Sequence, residues 1–246
     1  MGDTDLFQSL KGGLIVSCQA LDDEPLYGAE TMAKLAKAAQ MGGAIGIRAN
    51  TTQDIMAIQE VVDLPIIGLV KKEYKDSEVF ITPTINELQE LINTDVDIIA
   101  LDATDRKRPN GEELKDLINL AHCSDKYVMA DISTFEEGML AVKLGADCLS
   151  TTLSGYTPYS PQSDEPDYEL LKRLVQYSPV PVIGEGRVST PEQAREILRF
   201  NAHAVVVGSA ITRPQLITKR FVDIINEEEE ENEQESINKS KLRVND

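Results

Sequence analysis

The sequence is poor in cysteine, histidine and positive charge. Its three cysteines, Cys18, Cys123 and Cys148, are scattered and show neither disulfide nor metal-site spacing, which suits a reducing compartment. Its two histidines, His122 and His203, fall in a helix-to-strand loop and beside a strand start, so both read as structural or surface residues, and no metal centre is expected. Lys and Arg number 24 against 42 Asp and Glu, a formal charge of −18. That imbalance argues against nucleic acid or an anionic membrane as partner. No stretch approaches the length of a membrane span. The first ten residues, MGDTDLFQSL, lack the apolar region of a signal peptide, and the expected location is cytoplasmic.

What is present is a repeated unit. Short apolar runs rich in β-branched residues alternate with helical patterns along 246 residues, about the length of one (β/α)₈ TIM barrel. The expected strands are Leu14–Cys18, Ala44–Ile47, Pro65–Val70, Asp97–Leu101, Tyr127–Ala130, Ala146–Leu149, Val180–Ile183 and Ala204–Val207. Helix starts are punctuated: Thr84 with Glu87, Thr134 with Glu137 and Thr190 with Gln193 have capping-box spacing, and Thr51 with Asp54 resembles it. An opening helix, about Asp5 to Leu10, is expected to plug the bottom of the barrel, and a last helix, about Pro214 to Asn226, to close the ring. One catalytic domain over residues 1–226 follows. From Glu227 to Asp246 the chain is polar and charged, and is expected to be a solvated extension or disordered.

In this fold, polar residues at the C-terminal strand ends read as catalytic or ligand-binding. Here those are Gln19, Arg48, Lys71, Asp102, Asp131, Thr151, Glu185 and Ser209. Lys71 follows the run IIGLV, and Ile67, Leu69 and Lys71 share one strand face, so Lys72 points the other way. A lysine leaving a buried strand is desolvated and has its pKa lowered toward a usable base. Gly186 and Arg187, then Gly208, Ser209 and Arg213, follow strands seven and eight. Small residues there leave backbone N–H groups open to an anion such as phosphate. The long loop Ser154–Asp167, with three prolines, reads as a functional lid.

The pieces VSCQALDDEPLY, GGAIGIRAN, LPIIGLVKKEY, ITPT, DIIALDATDRKRP, MADIS, STTLSGYTPYS, VIGEGRVSTPE and VVVGSAITRP occur in this order between about Gly12 and Pro214. Together they resemble the N-acetylmannosamine-6-phosphate 2-epimerase family. The resemblance implies reversible interconversion of N-acetylmannosamine 6-phosphate and N-acetylglucosamine 6-phosphate in sialic acid catabolism, without a cofactor, in an enzyme that is commonly a dimer. It implies Lys71 and Glu185 as the catalytic pair and Gln19, Arg48 and Asp131 as residues near the sugar; from its residue type alone, acidic Asp131 is expected to orient Lys71. Gly186, Arg187, Gly208, Ser209 and Arg213 fall in its phosphate-side motifs. Two other readings stand beside it. One is a lyase forming a Schiff base through Lys71, which borohydride would trap; the other is a phosphosugar-binding barrel without turnover.

Overall fold

The computed structural model describes residues 3–226, so the acidic segment Glu227–Asp246 lies outside the described residues. Strands β1 (Leu14–Cys18), β2 (Gly46–Asn50), β3 (Ile66–Leu69), β4 (Ile98–Asp102), β5 (Tyr127–Asp131), β6 (Cys148–Ser150), β7 (Val182–Gly184) and β8 (Ala204–Val207) pair in parallel in sequence order. β8 returns to β1 with Leu14 opposite Val205, and this closes a single (β/α)₈ barrel.

Helices α2 (Ala29–Met41), α3 (Thr52–Gln59), α4 (Ile85–Ile92), α5 (Leu114–His122), α6 (Phe135–Leu144), α7 (Tyr168–Tyr177) and α8 (Pro191–Arg199) each follow one strand. A short α9 (Ser209–Thr212) and a closing helix at 214–226 follow β8. The capping boxes at Thr84, Thr134 and Thr190 are all made, side chain to backbone in both directions. At Thr51 only half of it forms: its hydroxyl accepts from the Asp54 N–H, while Asp54 Oδ2 has no partner. Asp is one methylene shorter than Glu, and the return bond is not made.

Alternate strand residues point inward and outward. Ile15, Ile67, Leu69, Ile98, Ala100, Met129, Cys148, Ile183, Ala204 and Val206 fill the barrel interior. Their outward neighbours pack under the helices in two further clusters. Helix α1 (Asp3–Ser9) closes the bottom: Leu10 is fully buried in the interior cluster, Phe7 meets the Tyr127 ring edge-on, and His203 bonds the Phe7 carbonyl. Burial of each such large apolar side chain is worth about 1.5–3 kcal/mol.

Several strands lie later in the chain than their apolar runs suggest. β2 begins at Gly46 and runs through Arg48 to Asn50, and β4 and β5 include Asp102 and Asp131. β6 and β7 begin at Cys148 and Val182. Hydrophobicity stops where the barrel interior becomes polar, but the backbone ladder continues past that level. Arg48, Asp102 and Asp131 therefore sit on strand, whereas Gln19, Lys71 and Glu185 stand just beyond the strand ends.

Candidate active site

The strand ends and the loops above them enclose a cavity of about 620 Å³, within the usual range for small-molecule sites. Gln19, Arg48, Lys71, Glu185, Gly186, Arg187, Gly208, Ser209 and Arg213 all line it. Of the expected strand-end residues Asp102, Asp131 and Thr151 do not, and Asp131 is fully buried beneath Arg48.

Arg48 organises the floor. Its Nη1 donates to Asp131 Oδ1 at 3.0 Å and to Glu185 Oε2 at 2.8 Å, and its Nη2 donates to Asp131 Oδ2 at 2.5 Å. Burial works against the guanidinium charge, but the two carboxylates outweigh it and hold Arg48 protonated more firmly than usual. Asp131 was expected to orient Lys71; its carboxylate is instead bound bidentately by Arg48. A planar fork matches a carboxylate where an ammonium cannot.

Lys71 stands directly after β3, its backbone N–H fixed by Asn50 Oδ1 at 2.8 Å. Its side chain makes no hydrogen bond or ion pair with the described residues. Burial, then the like charges of Arg48 and Arg213, bring its pKa down to about 8. Glu185 moves the other way. Burial pushes its carboxyl up, Arg48 pulls it down, the Asp131 charge pushes it up again, and the net direction is up. The two groups thus approach each other in proton affinity across the cavity, a pattern found at acid–base sites.

On the side toward β7 and β8, Gly186 has φ +98, and a Cβ there would also meet the Thr151 and Thr152 carbonyl oxygens at 3.4 Å. At Gly208 a Cβ would press on Ser17 at 3.3 Å. Arg213 Nη2 donates to Glu24 Oε2 at 2.9 Å and Nη1 to Ser209 Oγ at 3.0 Å. Arg187 is turned to the loop Ser154–Asp167: Nη2 donates to the Gly155 carbonyl at 2.7 Å, and the guanidinium lies 4.9 Å from the Tyr156 ring centre.

Sequence reasoning missed Ser17, Ser150, Thr152 and Glu24. Thr151 was singled out in their place, yet its hydroxyl is spent on the Glu185 backbone. The alternation that separates Lys71 from Lys72 also separates the inward set Cys148, Ser150 and Thr152 from Thr151. Nothing in the loop around Glu24 marks that residue as the partner of Arg213. Asp102 is tied to Arg106 and Thr104 and does not line the cavity. No three His, Cys, Asp or Glu among the described residues are grouped so as to hold a metal ion. His122 bonds Asp147 and His203 the Phe7 carbonyl, both away from the cavity.

Residues 32–227 match the NanE family model, described as "Putative N-acetylmannosamine-6-phosphate epimerase". The chain belongs to that family. A Clostridium perfringens protein named "Putative N-acetylmannosamine-6-phosphate 2-epimerase" is 58% identical over 216 residues, covering 88% of this chain and 98% of its own. A Clostridioides difficile protein of the same name is 51% identical over 220 residues, covering 89% and 99%. A solved N-acetylmannosamine-6-phosphate 2-epimerase from Clostridium perfringens has a TM-score of 0.89 at 56% identity, covering 91% of this chain and 98% of that one. The span matched by the epimerase family contains every expected site residue except Gln19.

Proposed function

We propose that this chain interconverts N-acetylmannosamine 6-phosphate and N-acetylglucosamine 6-phosphate by taking a proton from C2 and returning one to the opposite face. The observation that carries the reading is Lys71: a half-buried amine with no hydrogen bond or ion pair among the described residues, and a pKa near 8, facing the cavity. The C2 hydrogen lies α to the C1 aldehyde of the open-chain sugar. Lys71 as free amine accepts that proton, and the electron pair moves onto O1 to give an enolate that keeps its acetamido nitrogen at C2; rotation about C2–C3 turns the other face to the Lys71 ammonium, which returns a proton there while the pair leaves O1. Glu185 works through the sugar's own oxygens, as a protonated donor to the forming oxyanion. Gln19 lines the same cavity with its buried Oε1 unpartnered, which suits a substrate hydroxyl or amide N–H.

The phosphate belongs beyond β7 and β8, over Gly186, Gly208 and Ser209 with Arg213. Glu24 holds Arg213 until the phosphate takes its place. Cations along the mouth, Arg187, Lys219 and Arg220 among them, set a positive lining into a chain of net charge −18. The setting we propose is the cytoplasm, in amino-sugar catabolism. The dimer that the family resemblance implies has the exposed Phe221, Val222, Ile224 and Ile225 of the closing helix as apolar surface to cover.

The test is a coupled assay on purified protein. N-Acetylmannosamine 6-phosphate should turn over, and the unphosphorylated sugar should show lower kcat as well as weaker binding, because remote binding energy positions the reacting centre. Equal kcat/KM for the two sugars overturns the phosphate seat, and no interconversion overturns the function.

A further inference from the structure

Ser150 and Thr152 bring two hydroxyls between two carboxylates, and their hydrogen count decides what they do. Thr152 Oγ1 stands 2.7 Å from Asp131 Oδ1, 2.7 Å from Ser150 Oγ and 3.0 Å from Glu185 Oε2. Ser150 Oγ is a further 3.2 Å from Glu185 Oε2. A hydroxyl has one hydrogen to give and two lone pairs to receive. With both carboxylates ionised, the two hydroxyl hydrogens cover only two of these four oxygen–oxygen contacts. The other two become lone pair against lone pair in a buried site. One more hydrogen on Glu185 Oε2 covers a third contact and leaves only the longest, Ser150 Oγ to Glu185 Oε2 at 3.2 Å, without one. Glu185 donates to Thr152, Ser150 donates to Thr152, and Thr152 donates to Asp131. Every contact of 3.0 Å or less then has its hydrogen, and Thr152 uses its full capacity.

We propose that Thr152 is a positioning residue that keeps a proton on Glu185 by accepting a hydrogen bond from the protonated carboxyl and donating its own hydrogen bond to Asp131. This rests on the epimerase reading for its purpose: Glu185 starts the cycle as an acid while Lys71 starts as a base. Arg48 binds both Asp131 oxygens and leaves Oδ1 a further lone pair for Thr152, and its Nη1 also donates to Glu185 Oε2 at 2.8 Å. The other groups facing Glu185 are Arg48 from β2, Lys71 after β3 and Asp131 from β5. The Cys148 thiol of β6, whose pKa burial pushes well up, stays neutral beside Arg48 and Asp131.

The sign of one shift tests the proposal. Were the hydroxyls donors to an ionised Glu185, removing Thr152 would raise the Glu185 pKa. If Thr152 accepts from the protonated form, removing it lowers that pKa. The Glu185 carboxyl is followed by NMR in substrate-free protein labelled with ¹³C at glutamate carboxyls, and its signal is identified by its loss in Glu185→Gln. In Thr152→Val the midpoint should fall by roughly one pH unit, the scale of a single hydrogen bond. Thr152→Ser should restore it. Valine also makes the site more apolar and takes a donor from Asp131. Both effects push Glu185 up, so a fall is attributable to the lost acceptor.

In turnover, kcat of Thr152→Val should drop about tenfold or more while KM stays within about threefold. A midpoint that rises or stays put in Thr152→Val overturns the proposal. If that variant does not fold, Thr152→Ala reads the same sign. The titration uses no substrate, so it stands or falls apart from the epimerase reading, which fails only if the unaltered protein does not interconvert the phosphosugars.

Discussion

Lys71 and Lys72 are neighbours in sequence and opposites in environment. Lys72 is half exposed and pairs with Glu87 at 2.7 Å, which raises its pKa, whereas Lys71 is desolvated and its pKa is lowered to about 8. Strand alternation alone made this difference legible. The sign for activity follows. Below about pH 8 the Lys71 amine is protonated and cannot accept the C2 proton; above it the base is free. Because Glu185 is needed as the acid, kcat/KM should therefore follow a bell, falling toward acid pH as Lys71 takes up its proton and toward alkaline pH as Glu185 loses its own. Lys71→Arg should lose the acid limb along with the activity, because a guanidinium does not give up its proton in this range. A profile flat from pH 6 to 9, in the same buffer series, contradicts the assignment of Lys71 as base. Other residue-scale features were less visible. The Arg48–Asp131 pair joins strands 83 positions apart, and no local pattern announces which acid a buried arginine will meet.

At the scale of elements, the helix starts were the most legible, since capping residues act within one turn. Strand limits were less so, because polar residues in the barrel interior stop an apolar run before the ladder ends, as at Arg48 and Asp131. The loop Ser154–Asp167 was visible as long and proline-bearing, but its folding was not. Thr157 and Ser160 are buried within it, Ser154 bonds Asp167, and Tyr159 reaches Glu137 at the start of α6. Arg187, at φ +58 after β7, binds the Gly155 carbonyl and lies over Tyr156. Its planar fork lies flat over the ring while one edge donates to the carbonyl, a geometry that a lysine ammonium does not reproduce. Arg187→Lys should speed amide exchange between Gly155 and Asp164 by about tenfold, the equivalent of one lost net hydrogen bond, and should raise KM. Unchanged exchange with an unchanged KM shows that the loop does not depend on Arg187.

At the scale of the whole molecule, the closed ring does what no single element can. Lys71 follows β3 and Glu185 follows β7, four strands apart in a ring of eight, so they reach one cavity from opposite sides. The alternation of eight strands with helices made the ring legible in the sequence, and with it the face on which chemistry collects. The central claim is that Lys71 moves the C2 proton of the phosphosugar, and turnover in D₂O tests it most directly. Product isolated after repeated turnover and read by NMR should carry deuterium at C2, and Lys71→Ala should cut both deuterium entry and epimerisation by roughly 10²-fold or more. Epimerised product that keeps its original hydrogen at C2, or a Lys71→Ala protein that exchanges as fast as the unaltered one, would contradict the account.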